Sequence, residues 1–180
     1  MKPLTRWFRR GDMFAIVIGM TDGILTALTL AAGKLLSGAR PDSAMALRVS
    51  GASALSGAFV FFTAEYARQR AGLVHAERQL NLASHGRLAT TRLGEAVRRD
   101  TLRSAGIAVA CNFAGALLPL ICGAHLPGPP WLAIPVAVIA LGALGGAVAQ
   151  SVYGHRILWV LALMAAGLVL SLAGVMLHVV

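Results

Sequence analysis

Only seven of the 180 residues are acidic, and charged residues of both signs make up just 13% of the chain. A soluble domain carries roughly a quarter charged residues, so this chain cannot cover itself with a water-facing surface. Cysteine is almost missing. Cys111 and Cys122 stand 11 positions apart, too far for a disulfide within one helix, so they do not report a redox compartment. The five histidines, His75, His85, His125, His155 and His178, are scattered, and none stands at metal-ligand spacing from another. No Gly-rich phosphate loop, H-E-x-x-H or Ser–His context appears, so the chain is not expected to be an enzyme or to hold a permanent cofactor. No RNA- or DNA-binding motif accompanies its arginines, which argues against a nucleic-acid partner.

What the chain has in abundance is apolar sequence. Hydrophobic residues make up 57%, and the mean hydropathy is +0.73. An apolar run of about 18 or more residues matches the ~30 Å hydrocarbon core of a bilayer. Five runs qualify, at residues 13–36, 49–66, 104–123, 131–150 and 157–180. The expected fold is all-α: one polytopic transmembrane domain, residues 1–180, with five membrane-crossing helices. The basic-then-apolar start differs from a signal peptide, because its apolar stretch is too long and lacks an A-x-A site. It is expected to remain in the mature protein.

Charge orients the bundle. Thirteen of the sixteen basic residues precede the first span, join the second to the third, or join the fourth to the fifth. Only Lys34, Arg40 and Arg48 fall on the other side. The positive-inside rule then predicts a cytoplasmic N-terminus and an outside C-terminus. Residues 67–103 form the one sizeable extramembrane part, a short basic cytoplasmic loop of helical character. The second span is expected to continue into it and break near residues 84–86. A short separate helix around residues 93–102 should follow, with the arginines touching anionic lipid. Gly19-x-x-x-Gly23 and Gly142-x-x-x-Gly146 carry the spacing of close helix approach.

Polar residues inside the spans are the candidate functional groups. Asp22 lies about nine residues into the first span, roughly 13–14 Å deep and near the bilayer midplane. An ionised carboxylate there costs ~3 kcal/mol and almost always faces a bundle interior, a partner or water. Thr26, Thr29 and Gly33 follow at i+4, i+7 and i+11, which predicts one polar stripe with Asp22. A protonated Asp22 bonded to a neighbouring helix for structure alone is the competing reading. Glu65 sits near the cytoplasmic end of the second span, with Arg68 and Gln69 at i+3 and i+4. Spacing leaves it open between a helix-end ion pair and a functional carboxylate. Asn112 and Gln150 are candidates for interhelical hydrogen bonds.

Several of these stretches resemble one known family. "GMTDGILTALTLAAG" (residues 19–33) resembles the first-helix signature of the vacuolar iron transporters, G-x-N-D-G-I followed by small and hydroxylated residues. "AEYARQR" with "HAERQL" after it is similar to that family's second-helix ending, and "FAGALLPLI" to its third-helix F-x-x-G-A-L-L-P-L, which includes Pro119. "LGALGGAV" with the "YGHR" bend resembles the join of its last two helices. The resemblance implies a homodimeric exporter that moves Fe²⁺, often also Mn²⁺, out of the cytoplasm in exchange for protons. By position, Asp22 would be the intramembrane metal ligand and Glu65 the glutamate of the family's G-E-Y. The chain departs from the family at Phe61, where a methionine is common. It also departs in the loop of residues 67–103, basic where full-length members carry a glutamate-rich domain. Glu77, Glu95 and Asp100 are the only acids there, and Glu77 and Glu95 are the secondary candidates for metal entry.

A mechanism follows for such a chain. Five helices enclose little alone, and a C2 dimer with the first helix at its axis would bring two Asp22 carboxylates together. In a dry site the two repel unless protons or a divalent cation neutralise them, which is metal–proton exchange in its simplest form. Oxygen ligands from Asp22, Thr26 and Glu65 suit Fe²⁺ or Mn²⁺. The plasma (inner) membrane is the expected location, with an intracellular vacuolar-type membrane as the alternative. The rival function is a non-transporting membrane assembly or anchoring protein. A third is a proton-coupled carrier of another solute.

Overall fold

A computed structural model describes residues 10–38, 40–79, 92–125, 128–152 and 155–176. They form five α-helices and no strand: α1 (Arg10–Leu36), α2 (Ser43–Gln79), α3 (Arg92–His125), α4 (Ala133–Val152) and α5 (Arg156–Met176). Each is long and apolar enough to cross a bilayer, and the chain is an integral membrane protein. Large side chains such as Leu55, Phe59, Ile139, Ile157 and Val169 stand exposed on the outer faces. That would be unstable in water and is what acyl chains require.

Two helices outrun the membrane. α2 has 37 residues and α3 has 34, about 55 and 51 Å at the helical rise, against ~30 Å of hydrocarbon. The separate helix expected at 93–102 is therefore not separate. α3 runs without interruption from Arg92 into the third span, because nothing between Leu93 and Ser104 breaks it. The break expected near 84–86 lies outside the described residues.

The bundle is built on small residues. α1 touches each of the other four helices and is packed most closely on α3. A Cβ added at Gly19 would run into the Ala108 carbonyl, and one at Gly23 into the Asn112 carbonyl. From the other side, a Cβ at Gly115 would come 2.5 Å from the Met20 carbonyl oxygen. The G-x-x-x-G of α1 is thus an intramolecular seam with α3, one that lets backbones approach and van der Waals contacts accumulate. Gly174 brings α5 onto the backbone of Thr29 in the same way. On α4 the tight contact is at Gly145, where a Cβ would lie 2.6 Å from the Trp159 carbonyl oxygen, and Gly146 has only Val160 at 3.9 Å. The expected pair Gly142/Gly146 is corrected to Gly142/Gly145, one face of which meets α5. Ala27, Ala31, Leu35, Ala46, Ala116, Leu120 and Ala133 fill one core, and Ile24, Leu28, Ala137 and Leu141 another. Pro119 is buried within α3 beside the first.

The connections at the less basic end are tied together. After α1 the turn closes at Gly38 with a φ of +81°, a conformation glycine adopts at little cost. Lys34 Nζ meets Met45 Sδ at 3.4 Å, and Arg40 Nη2 donates to the Gly128 carbonyl at 3.2 Å. At the opposite end Arg103 reaches the buried carboxylate of Asp12 at 3.2 Å, joining α3 to the start of α1.

The α1–α3 seam generates a prediction. Gly23→Val pushes a side chain into backbone that cannot rotate away and should destabilise by at least the ~1–3 kcal/mol of an overpacked core. Gly51→Ala, where a Cβ meets nothing within 4 Å, should be neutral or stabilise by about 0.5–1 kcal/mol. Thermal melts of the purified protein in detergent check both, and equal melting temperatures would refute the seam.

Candidate functional site

α1 and α2 both pack on α3 but meet each other over a smaller area. They part to leave a cleft of about 410 Å³ floored by α3. Its wall runs along α1 from Thr26 back to Phe14, and along α2 from Ser53 on to Arg68. The cleft therefore reaches from the middle of the bundle towards the basic end, and the ties at Lys34 and Arg40 close the other end.

Asp22 is exposed to this cleft. Asn112, only 2% exposed, donates its amide Nδ2 to Asp22 Oδ2 at 2.6 Å. Ser53, also buried, donates its hydroxyl to Asn112 Oδ1 at 2.7 Å. A three-member chain thus links α2, α3 and α1. The directions are mutually consistent: an ionised carboxylate only accepts, so the amide nitrogen faces Asp22 and the amide oxygen is left for Ser53. The second oxygen of Asp22 remains available to the cleft. Gly57 makes the arrangement fit, since a Cβ there would collide with Asn112 Nδ2 and come 3.3 Å from Asp22 Oδ2.

Glu65 stands further along the same wall, its side chain 12% exposed. Arg68 grips it with two bonds, Nε to Oε2 at 2.9 Å and Nη2 to Oε1 at 2.6 Å. Gln69 Nε2 adds a third at 2.6 Å to Oε1. The i+3 and i+4 partners expected from spacing are both made, and Glu65 lines the cleft as well.

The other expected site residues divide. Thr26 and Gly19 line the cleft with Asp22. Thr29 does not; its hydroxyl donates to the Leu25 carbonyl at 2.8 Å and its backbone lies under Gly174 of α5. Gly33 is also outside the cleft lining, at the turn where its carbonyl accepts from the Ser37 amide at 3.0 Å. The single stripe is corrected accordingly: periodicity put four residues on one side of α1, but two neighbouring helices share that side. Gly23 and Pro119 serve packing. Glu95 lies on a separate surface of α3 with Arg98, Arg99 and Leu102. The side chain of Glu77 falls outside the described residues. Phe61 puts an aromatic ring into the lining.

Sequence reasoning missed Ser53 as the partner of Asn112, Ser56 and Gly57 as lining of the cleft beside Asp22, and the Asp12–Arg103 pair. A signal existed for the first three: "SGASALSG" (residues 50–57) is the only stretch of α2 dense in serine and glycine. Among the described residues no three His, Cys, Asp or Glu side chains gather as a ligand set. What one chain offers a cation is the Asp22 carboxylate, the hydroxyls of Thr26 and Ser56, and Glu65 beyond them. Compared with models of protein families, with curated proteins and with solved structures, the chain matches none.

Water access to the cleft is testable directly. In a Cys111→Ala/Cys122→Ala background, Ser56→Cys should react with a small charged methanethiosulfonate reagent. Leu55→Cys, next to it but 76% exposed on the outer face, should stay unlabelled in lipid. The reverse pattern would mean that the cleft is dry.

Proposed function

We propose that this chain transports a divalent metal ion, Fe²⁺ or Mn²⁺, out of the cytoplasm in exchange for protons. The carrying observation is the Asp22 carboxylate, held by Asn112 with one oxygen left to a cleft that also contains Thr26, Ser56 and Glu65. Hard oxygen donors favour such ions over thiolate-seeking ones. The likeness of the Asp22, Glu65 and Pro119 stretches to the vacuolar iron transporters supports the same reading. So does charge: with the basic end in the cytoplasm, the cleft opens inward and leads from Arg68 and Glu65 to Asp22.

The chemistry is a competition for one carboxylate. A proton and the cation would compete for it, and because a divalent ion on one carboxylate leaves a positive charge over, the exchange needs a second negative group at the site. Metal arriving from the cytoplasm displaces the proton, and a proton arriving from outside displaces the metal. A homodimer would bring a second Asp22 to the site. The cleft is open sideways, rimmed by Phe14, Ile18 and Val60, all exposed in a single chain. The inner membrane of the cell is the setting this reading fits best. The second reading is a membrane assembly protein that uses the same apolar rim to hold a partner. Phe61 in the lining and the occupied Glu65 favour it.

One experiment separates the two. Proteoliposomes holding the wild-type chain should accumulate Mn²⁺ and release protons measured by a pH-sensitive dye. Asp22→Asn should reduce both on the order of ten- to a hundredfold, the worth of one charged ligand contact. Transport undiminished in Asp22→Asn, or absent from the wild type for every divalent ion, would leave the assembly reading.

A further inference from the structure

We infer that Arg68 is a tethered competitor for the cation: its guanidinium occupies Glu65 at the mouth of the cleft and must leave before a metal ion can use that carboxylate. The inference rests on the cation-transport reading of the cleft and concerns how entry to that site is controlled.

The geometry is specific. Phe61, Ala64, Glu65 and Arg68 succeed one another at helical spacing on the wall that α2 gives to the cleft. Both oxygens of Glu65 are engaged by the one guanidinium, at 2.9 and 2.6 Å. A planar fork on a carboxylate is a full occupancy of the direction a metal would approach from. It also puts a positive charge where a cation must arrive. The two partners differ sharply in environment: the Glu65 side chain is 12% exposed and that of Arg68 is 71% exposed. The carboxylate is fixed in the wall while the arginine already stands mostly in solvent, so release means a swing of the arginine outward. Gln69 stays on Oε1 at 2.6 Å through that swing and keeps the carboxylate aimed. A neutral amide does this without competing for charge.

The tether gives discrimination. A guanidinium attached one turn away is always present at its carboxylate, whatever the bulk composition. A free monovalent ion carries no more charge than the arginine and lacks its two directed bonds, so it gains little by replacing it. A divalent ion carries twice the charge and gains from Glu65 what neither can. Arg68 therefore raises the threshold for entry and passes divalent ions over sodium and potassium. It is a positioning and selectivity residue; the ligands are the carboxylates.

The test is Mn²⁺ binding to the purified full chain in detergent, read from the electron paramagnetic resonance of free Mn²⁺. Arg68→Gln should tighten the apparent Kd about two- to fivefold, the scale of losing one exposed ion pair as competitor. It should also make binding sensitive to sodium, which scarcely competes in the wild type. Glu65→Gln should weaken binding, and adding Arg68→Gln to Glu65→Gln should bring no gain, because the arginine acts only through that carboxylate. An unchanged or weaker Kd in Arg68→Gln, or a gain that survives in the double variant, overturns this inference while Asp22-dependent binding upholds the transport reading. Wild-type protein that binds no Mn²⁺, or binds it as well in Asp22→Asn, overturns the transport reading and this inference with it.

Discussion

The hydrogen bond from Asn112 to Asp22 is the contact around which the apolar bundle is arranged. A carboxylate at this depth must have a partner, and the partner must itself be satisfied at its other end. Ser53 does that, and the three residues come from three different helices. They bridge α1 and α2 at the level where those helices part. The cleft is therefore a separation whose floor is fixed by a polar chain of defined direction. The same chain leaves one oxygen of Asp22 facing the opening.

Glycine makes that contact reachable. The amide of Asn112 lies beside the carboxylate because Gly23 lets α1 settle onto the backbone of α3 at the same residue. Gly57 then clears the space on the α2 side that the amide fills. Larger residues at either position would separate a donor from an acceptor that have no alternative in lipid. Packing and chemistry are in this way the same constraint, since the seam that gives the bundle its van der Waals cohesion also sets the position of the Asp22 carboxylate.

Much of this was legible in the sequence, and the misses have physical reasons. Length and hydropathy identify five spans because bilayer thickness is a hard requirement. Asp22 declares itself by its cost, and Glu65 finds its partners because i+3 and i+4 neighbours are fixed by helix geometry. What one helix cannot reveal is which neighbour each part of its surface meets. Thr29 and Gly33 share a side with Asp22, yet α5 crosses at Thr29 and divides that side. Gly145 replaces Gly146 as the contact because the crossing of α4 and α5 selects the register, and G-x-x-x-G and G-x-x-G seams both exist in "GALGG". The start of α3 was misjudged because a hydropathy window sees where lipid ends and not where a helix ends. Ser53 and Gly57 are unremarkable until Asn112 lies opposite them.

The cleft's asymmetry bears on how the proposed exchange would turn over. Towards the basic end, α1 and α2 are held apart with Asp22 and Glu65 between them, and the seam to α3 there is glycine against backbone. Towards the other end the closure consists of the Leu35, Ala46 and Leu120 cluster, the part-buried contact of Lys34 with Met45 and the exposed one of Arg40 with the Gly128 carbonyl. Hydrogen bonds contribute ~0.5–1.5 kcal/mol each, so the larger part of the cost of opening that end is the burial of the apolar cluster. α2 is the natural moving part. It shares a broad interface with α3 and only a narrow one with α1, whereas α1 is clasped by all the rest. Rocking α2 on α3 about the level of Ser53 would open the Lys34 end as the Glu65 end closes. The Ser53–Asn112 bond lies near the pivot, where displacement is least. Asp22 would then keep its partner in both states, and only the side from which the cation or proton reaches it would change.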